Sequence, residues 1–230
     1  MRRFPAGRRF LPGRRLRPAR RPGTVRAGAV PLVSSVTAAS LVCGAWLLHS
    51  GSETHAPPQP SASQARSDGG PDRPAAPALP PSPPDRVRIP SIRVDAPLMG
   101  LGLTPQGSLD VPPAARKNLA GWYEAGTTPG ERGTAIVAGH VDNAEGPAVF
   151  YRLGALRRDS TIEVARRDGT VALFTVDAVE VYDAGDFPDE KVYGAARRPE
   201  LRVITCGGGY SAATGYRGNV VVFAHLTGSR

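Results

Sequence analysis

The chain has 230 residues, two cysteines and a formal charge of +9, a length that allows one or two domains of roughly 100–200 residues each. Ten arginines and no acidic residue fall within residues 1–26, which leaves residues 27–230 close to neutral and removes the electrostatic basis for a nucleic-acid partner. Two cysteines and four histidines among dispersed carboxylates form no metal-ligand cluster, and no cofactor motif is present, since Gly207–Gly209 lack the lysine and helix of a phosphate loop.

Residues 1–26 read as a basic cytoplasmic tail. Residues 27–49 follow as a transmembrane anchor: Ala27 to Leu48 carries no charge, and a span needs about 20 helical residues. Arginines precede this run and none lies between Ser50 and Ala65, which sets the amino terminus in the cytoplasm and the rest of the chain outside. A cleaved signal peptide begins in the same way, but its apolar core is shorter and ends in a small-x-small site that does not follow Leu48. The expectation is a single-pass protein of the cell membrane with an extracytoplasmic domain. Residues 50–84 read as a linker, with ten prolines between Gly51 and Pro84 and few large apolar residues. Such a composition cannot offset the entropy of ordering, and as polyproline II at about 3.1 Å per residue it would reach on the order of 100 Å.

From Asp85 the pattern changes to short apolar or alternating runs separated by Gly, Pro, Asn and Asp, the mark of an all-β sandwich or barrel. Strands are predicted at Arg86–Ile89, Ile92–Val94, Leu109–Val111, Thr134–Ala138, Thr161–Ala165, Val171–Tyr182, Leu201–Thr205 and Val220–His225. Arg167, Asp168 and Gly169 supply a hairpin turn. Short helices are predicted within Val149–Leu156 and Arg116–Asn118. Residues 85–230 suffice for one closed core.

Cys206 closes a β-type run and has no disulfide partner, because Cys43 lies inside the apolar segment. An oxidising compartment pairs or removes free thiols, so Cys206 is either sealed in the core or kept for its chemistry. His140 closes the run Thr134–Gly139 in the same way, and strand ends are where functional groups concentrate. A thiol of ordinary pKa, about 8.5, needs a neighbouring base or cation to act as a nucleophile. His140 could provide it, or could be structural; the residues alone do not bring the two together. His49 and His55 fall at the edge of the anchor and in the linker, and His225 reads as a strand-end surface or capping residue.

Ala138-Gly139-His140-Val141-Asp142-Asn143, then Gly146 to Leu153, the strand end Ile204-Thr205-Cys206, and Tyr216-Arg217-Gly218-Asn219 leading into Val220–Ala224 together resemble the sortases of high-GC Gram-positive bacteria, most of all class F. The likeness covers nearly all of residues 85–230, and the anchor and extended linker match upstream. In the family's Thr-Leu-x-Thr-Cys stretch only the Thr-Cys end is kept, since this chain has Arg202, Val203 and Ile204 before it.

The resemblance implies an all-β, sortase-type closed barrel of about eight strands with short helices, preceded by one transmembrane helix and a disordered linker. It also implies a cysteine transpeptidase acting on a Leu-Pro-x-Thr-Gly-like signal without a cofactor or metal. Cys206 would attack the Thr carbonyl and form a thioester, His140 would pass the proton between departing and incoming amines, and Arg217 would hold the oxyanion. Arg202 is the alternative cation, Asp142 either orients His140 or is a turn residue, and Thr205 would line the cleft or supply an amide near the oxyanion. Implied partners are surface proteins bearing the signal and an amine of the cell wall or of another protein. Two rival readings stand beside this one. One is a tethered wall-binding or scaffolding module on the same fold with a buried thiol. The other is an L,D-type transpeptidase, whose Ser-x-Gly-Cys context Ile204-Thr205-Cys206-Gly207 does not match.

Overall fold

A computed structural model describes residues 56–65 and 74–230; the proposed tail and anchor lie outside these residues. Eight strands close into a barrel. In chain order they are β1 (Pro84–Ile89), β2 (Val94–Leu101), β3 (Ala120–Tyr123), β4 (Gly133–Gly139), β7 (Thr161–Arg166), β8 (Val171–Asp183), β9 (Pro199–Ser211) and β10 (Gly215–Ser229), while β5 (Asp142–Asn143) and β6 (Gly146–Pro147) form a separate small hairpin. Around the barrel the order is β1-β2-β3-β4-β9-β10-β8-β7, with β7 returning to β1. Only β2 with β3 and β4 with β9 run parallel.

Period-two burial makes the barrel. Ile162 and Val164 of β7, Phe174 and Val176 of β8, Leu201 and Val203 of β9, and Val220 and Val222 of β10 all enter one core, as alternate side chains of a strand share a face. Val149, Phe150, Leu153 and Leu156 join that core, but their spacing yields only a single 3-10 turn, Leu153–Ala155, in place of the predicted helix. Arg116–Asn118 forms no helix. Among the described residues, the α-helix is α1 (Asp189–Tyr193), too short to leave a periodic signal.

The predicted strands at Thr134, Thr161 and Val171 lie within β4, β7 and β8. The Arg167–Gly169 hairpin is also present: Asp168 accepts from the Thr170 N–H and hydroxyl at 3.0 and 2.7 Å, and Gly169 adopts φ +85°. Two strands are misplaced. Pro90 opens a 3-10 turn and Arg93 is left-handed at φ 60°, so β2 begins only at Val94. Leu109–Val111 contributes one isolated bridge, Leu103 to Leu109, because Pro112 and Pro113 next to it cannot donate to a ladder. The four-residue β3, with Ala and Gly in half its length, was not read as a strand.

β9 and β10 run well beyond their predicted ends. The glycines after Cys206 do not open a loop. Gly208 and Gly209, at φ +75° and +87°, take up a bulge opposite Arg217, and pairing continues to Ser211 and Gly215. The proline-rich stretch also contributes structure near the barrel: Ala76 N–H donates to the Leu226 carbonyl and Leu79 N–H to that of Gly130, while Ala76 and Leu79 pack against the core.

The core ring of Phe174 is fully buried, so Phe174→Ala should lower the unfolding free energy by about 3–5 kcal/mol in urea titration. Val111→Ala, at a 55% exposed side chain, should stay within about 0.5 kcal/mol. Equal effects would contradict the placement of the core.

Candidate active site

The parallel register of β4 on β9 matches each residue with the one 66 positions later, from Gly133 with Pro199 to Ala138 with Ile204. Thr205 continues it by donating its hydroxyl to the Gly139 carbonyl at 2.8 Å. Thr205 is therefore a buried rivet between the two strands, not part of a cleft wall. His140 directly follows the end of β4, and Cys206 directly follows Thr205 on β9, so both stand where this pairing of the two strands ends. On the other side of β9, Cys206 faces Asn219 of β10. Cys206 is exposed, which excludes the sealed-core alternative.

Both residues leave the outward face of the sheet. That face carries a second apolar cluster, Ile136, Ile204, Val221, Phe223 and Ala178, covered by Val192 of α1. A groove of about 660 Å³ continues along the same face of β4, lined among others by Thr134, Ile136, Leu109, Tyr123 and Tyr193. Neither His140 nor Cys206 lines it. Ile136 is four residues from His140, about 13 Å along the strand.

His140 is held from outside its own loop. Its Nε2–H donates to the Pro112 carbonyl at 2.7 Å, since a carbonyl can only accept. The loop folds back through Phe150 N–H to the His140 carbonyl and Ala148 N–H to that of Val141, both 3.0 Å. This closeness needs Gly139, where a Cβ would lie 2.7 Å from the Phe150 ring. Asp142 is turned to a different partner from the His140 ring. Its carboxylate accepts from the Tyr216 hydroxyl on β10.

Arg217 is exposed at the bulge of β10. Its Nη2 lies 3.0 Å from the point where a Cβ on Gly209 would stand, so the guanidinium rests on the rim beyond Cys206. Although Cys206 reaches solvent, the protein packed around the sulfur partly desolvates it, and this, with the nearby Asp142 carboxylate, pushes the thiol above its ordinary value.

Arg202, the alternative cation, shares this face but lies further down the strand. It is buried, donates to Glu200 at 2.7 Å and stacks 4.6 Å from the centre of the Phe223 ring. His225 is not a surface cap. It is 2% exposed, and its Nδ1–H donates to Asp177 at 2.8 Å, beside Arg198, which binds Glu200 at 2.8 Å and reaches Asp177 at 3.8 Å. The partner in β8 that makes His225 interior is invisible in the run Val220–Ala224. Among the described residues, no group of three or more metal-binding side chains converges.

A family model described as Sortase domain matches residues 87–227. The chain belongs to the sortase family. No curated protein matches it. Sortase A of Listeria monocytogenes is similar at 16% identity and a TM-score of 0.49, over 65% of this chain and 90% of that one. Sortase A of Corynebacterium diphtheriae gives 19% and 0.48 over 64% and 62%, so the match spans less than two thirds of that chain. A Clostridium perfringens sortase D5 transpeptidase gives 19% and 0.47 over 64% and 79%.

Raised by burial and by Asp142, the thiol should be alkylated by iodoacetamide with a pH midpoint above the ordinary value of about 8.5. Only the thiolate reacts, so the rate climbs as pH rises through the shifted pKa. A midpoint below that value would contradict this account of the electrostatics.

Proposed function

We propose that the chain is a cysteine transpeptidase of the class E/F type that cleaves a Leu-Pro-x-Thr-Gly-like signal between Thr and Gly and transfers the acyl group to an amine. The observation that carries the reading is the pairing of β4 with β9, which brings together the two strand ends from which His140 and an exposed Cys206 follow. The Cys206 thiolate attacks the Thr carbonyl carbon, and the oxyanion that forms is met by Arg217 moving in from Gly209. A planar, permanently charged donor suits that role. As the C–N bond breaks, His140 protonates the departing glycine amine and a thioester remains. An incoming amine then attacks that thioester, gives its proton to His140 and expels the thiolate.

The Pro112 bond assigns the imidazole nitrogens. With Nε2–H committed to a carbonyl, Nδ1 is the nitrogen that carries the proton in both half-reactions. Because the thiol is raised, the reactive thiolate is a minority form at neutral pH. The groove supports a peptide substrate. An extended chain advances about 3.3 Å per residue, so with Thr at Cys206 the Leu side chain lies some 10 Å back along β4, toward the apolar lining at Ile136, Leu109 and Tyr123.

Residues 1–26, 27–49 and 50–84 complete the proposal as tail, anchor and linker of a single-pass protein of the cell membrane, with residues 85–230 outside. Its partners are then surface proteins bearing the signal and an amine of a cell-wall precursor or of another protein. Among the described residues no helix is long and apolar enough to cross a membrane, and the proposed anchor lies outside them.

Cys206→Ala and His140→Ala should each reduce release of the glycine half of a quenched Leu-Pro-x-Thr-Gly peptide by at least about a thousandfold. Arg217→Ala should cost on the order of a hundredfold, mostly in kcat. Normal turnover by Cys206→Ala would overturn the proposal.

A further inference from the structure

We infer that Tyr216 and Asp142 form a positioning pair for the transpeptidase reaction, a clamp that fixes the His140 loop to the strand carrying Arg217. The inference rests on the reading of His140, Cys206 and Arg217 as the catalytic set. Beyond Gly139 the chain leaves the barrel sheet, so the ladder no longer determines where His140 sits. Asp142, two residues later, lies in the β5–β6 hairpin, with Asp142 opposite Pro147 and Asn143 opposite Gly146. One flank of that hairpin is tied to the β2–β3 connection: Asn143 Nδ2 donates to the Ala114 carbonyl at 2.7 Å and Lys117 meets Glu145 at 3.1 Å. The other flank is tied by the Tyr216 hydroxyl donating to Asp142. Tyr216 immediately precedes Arg217, at the point where the β9–β10 ladder is bulged. One side-chain bond therefore joins the segment of the base to the segment of the oxyanion donor.

Tyr216 suits the task. Its ring is braced edge-on by Tyr210 at 5.2 Å. Burial, the bond to Asp142, and the charges of Asp142, Tyr151 and Cys206 raise its phenol far above the ordinary range, so it stays a donor at every working pH. Asp142 brings a second consequence, since its carboxylate opposes ionisation of Cys206. The titratable groups that interact with the thiol are Asp142 of the β5–β6 hairpin and Tyr216 of β10, and Tyr151, from the turn after β6, acts on Tyr216. The clamp thus holds the geometry while keeping the thiol largely protonated.

The test combines peptide turnover with substrate-free alkylation of Cys206 across pH, in the full chain. Tyr216→Phe should lower kcat about tenfold or more with KM within about twofold, the signature of misplaced catalytic groups. Asp142→Ala should match it, and Asp142→Asn should recover part of the loss, because its amide oxygen still accepts from Tyr216. A Tyr216→Phe/Asp142→Ala double variant should lose no more than either single one, as expected of two residues acting as a unit. Asp142→Asn should also move the alkylation midpoint to lower pH, a change that a merely structural residue would not cause. Additive losses, or normal kcat in both Tyr216→Phe and Asp142→Ala, would overturn the clamp. Should Tyr216→Phe fail to fold, the Asp142 pair of variants decides. A midpoint shift in a protein that turns over no peptide would count against the transpeptidase reading while supporting the pair. Unchanged kcat and midpoint in an enzyme that cleaves the peptide would do the reverse.

Discussion

The parallel pairing of β4 with β9 is the constraint on which the site depends. Two strand ends far apart in the chain come side by side because Ala138 pairs with Ile204 and the Thr205 hydroxyl holds the Gly139 carbonyl, and His140 and Cys206 follow directly from them. A slip of one residue would turn every side chain of a strand to the opposite face. Either His140 or Cys206 would then point into the barrel. The core prevents this, because Ala135 and Val137 of β4 and Leu201 and Val203 of β9 fill the interior with one parity and leave the other for the groove. The packing that stabilises the fold therefore also sets the spacing of the chemistry.

The outward face of the same sheet is graded from end to end. At one end lies a buried ionic group of His225, Asp177, Arg198, Glu200 and Arg202. Burial disfavours the charged Glu200, but Arg202 and Arg198 outweigh it and hold its carboxyl below the ordinary range. The middle is apolar and lies under α1, which Lys191 pins by its pairing with Glu180 at 2.7 Å and its place 5.5 Å above the Phe223 ring. The far end opens to Cys206. The ionic group anchors the segment that leads into β9 and so supports the strand that carries Cys206. Losing one partner of such a buried pair costs about 3–5 kcal/mol, which makes it part of the scaffold and not of the reaction.

What the sequence disclosed follows from how local each signal is. The barrel strands with strict alternation, Thr161–Ala165 and Val171 onward, were legible because period two is written in the residues themselves. The turn at Asp168 and Gly169 was legible for the same reason. The extension of β9 past Cys206 was not, because three glycines resemble a loop until β10 is seen opposite them. His225 read as a surface residue because its partner Asp177 comes from another strand. For the candidate site, motif resemblance proposes His140, Cys206 and Arg217, whereas the Pro112 carbonyl and the Tyr216 hydroxyl that meet the His140 segment carry no motif. Those partners are contributed by segments whose approach depends on the closed barrel. Asp142 was read as either orienting His140 or sitting in a turn, and its Tyr216 partner was not legible because that tyrosine comes from a distant strand.

The most direct test of the account is to trap the covalent intermediate. The protein would be mixed with a Leu-Pro-x-Thr-Gly peptide in the absence of an added amine, quenched in acid and mapped by mass spectrometry. The account predicts the Leu-Pro-x-Thr acyl group as a thioester on Cys206, and no such adduct when His140 is replaced by alanine. An acyl group on any other residue, or full accumulation on Cys206 without His140, would contradict it.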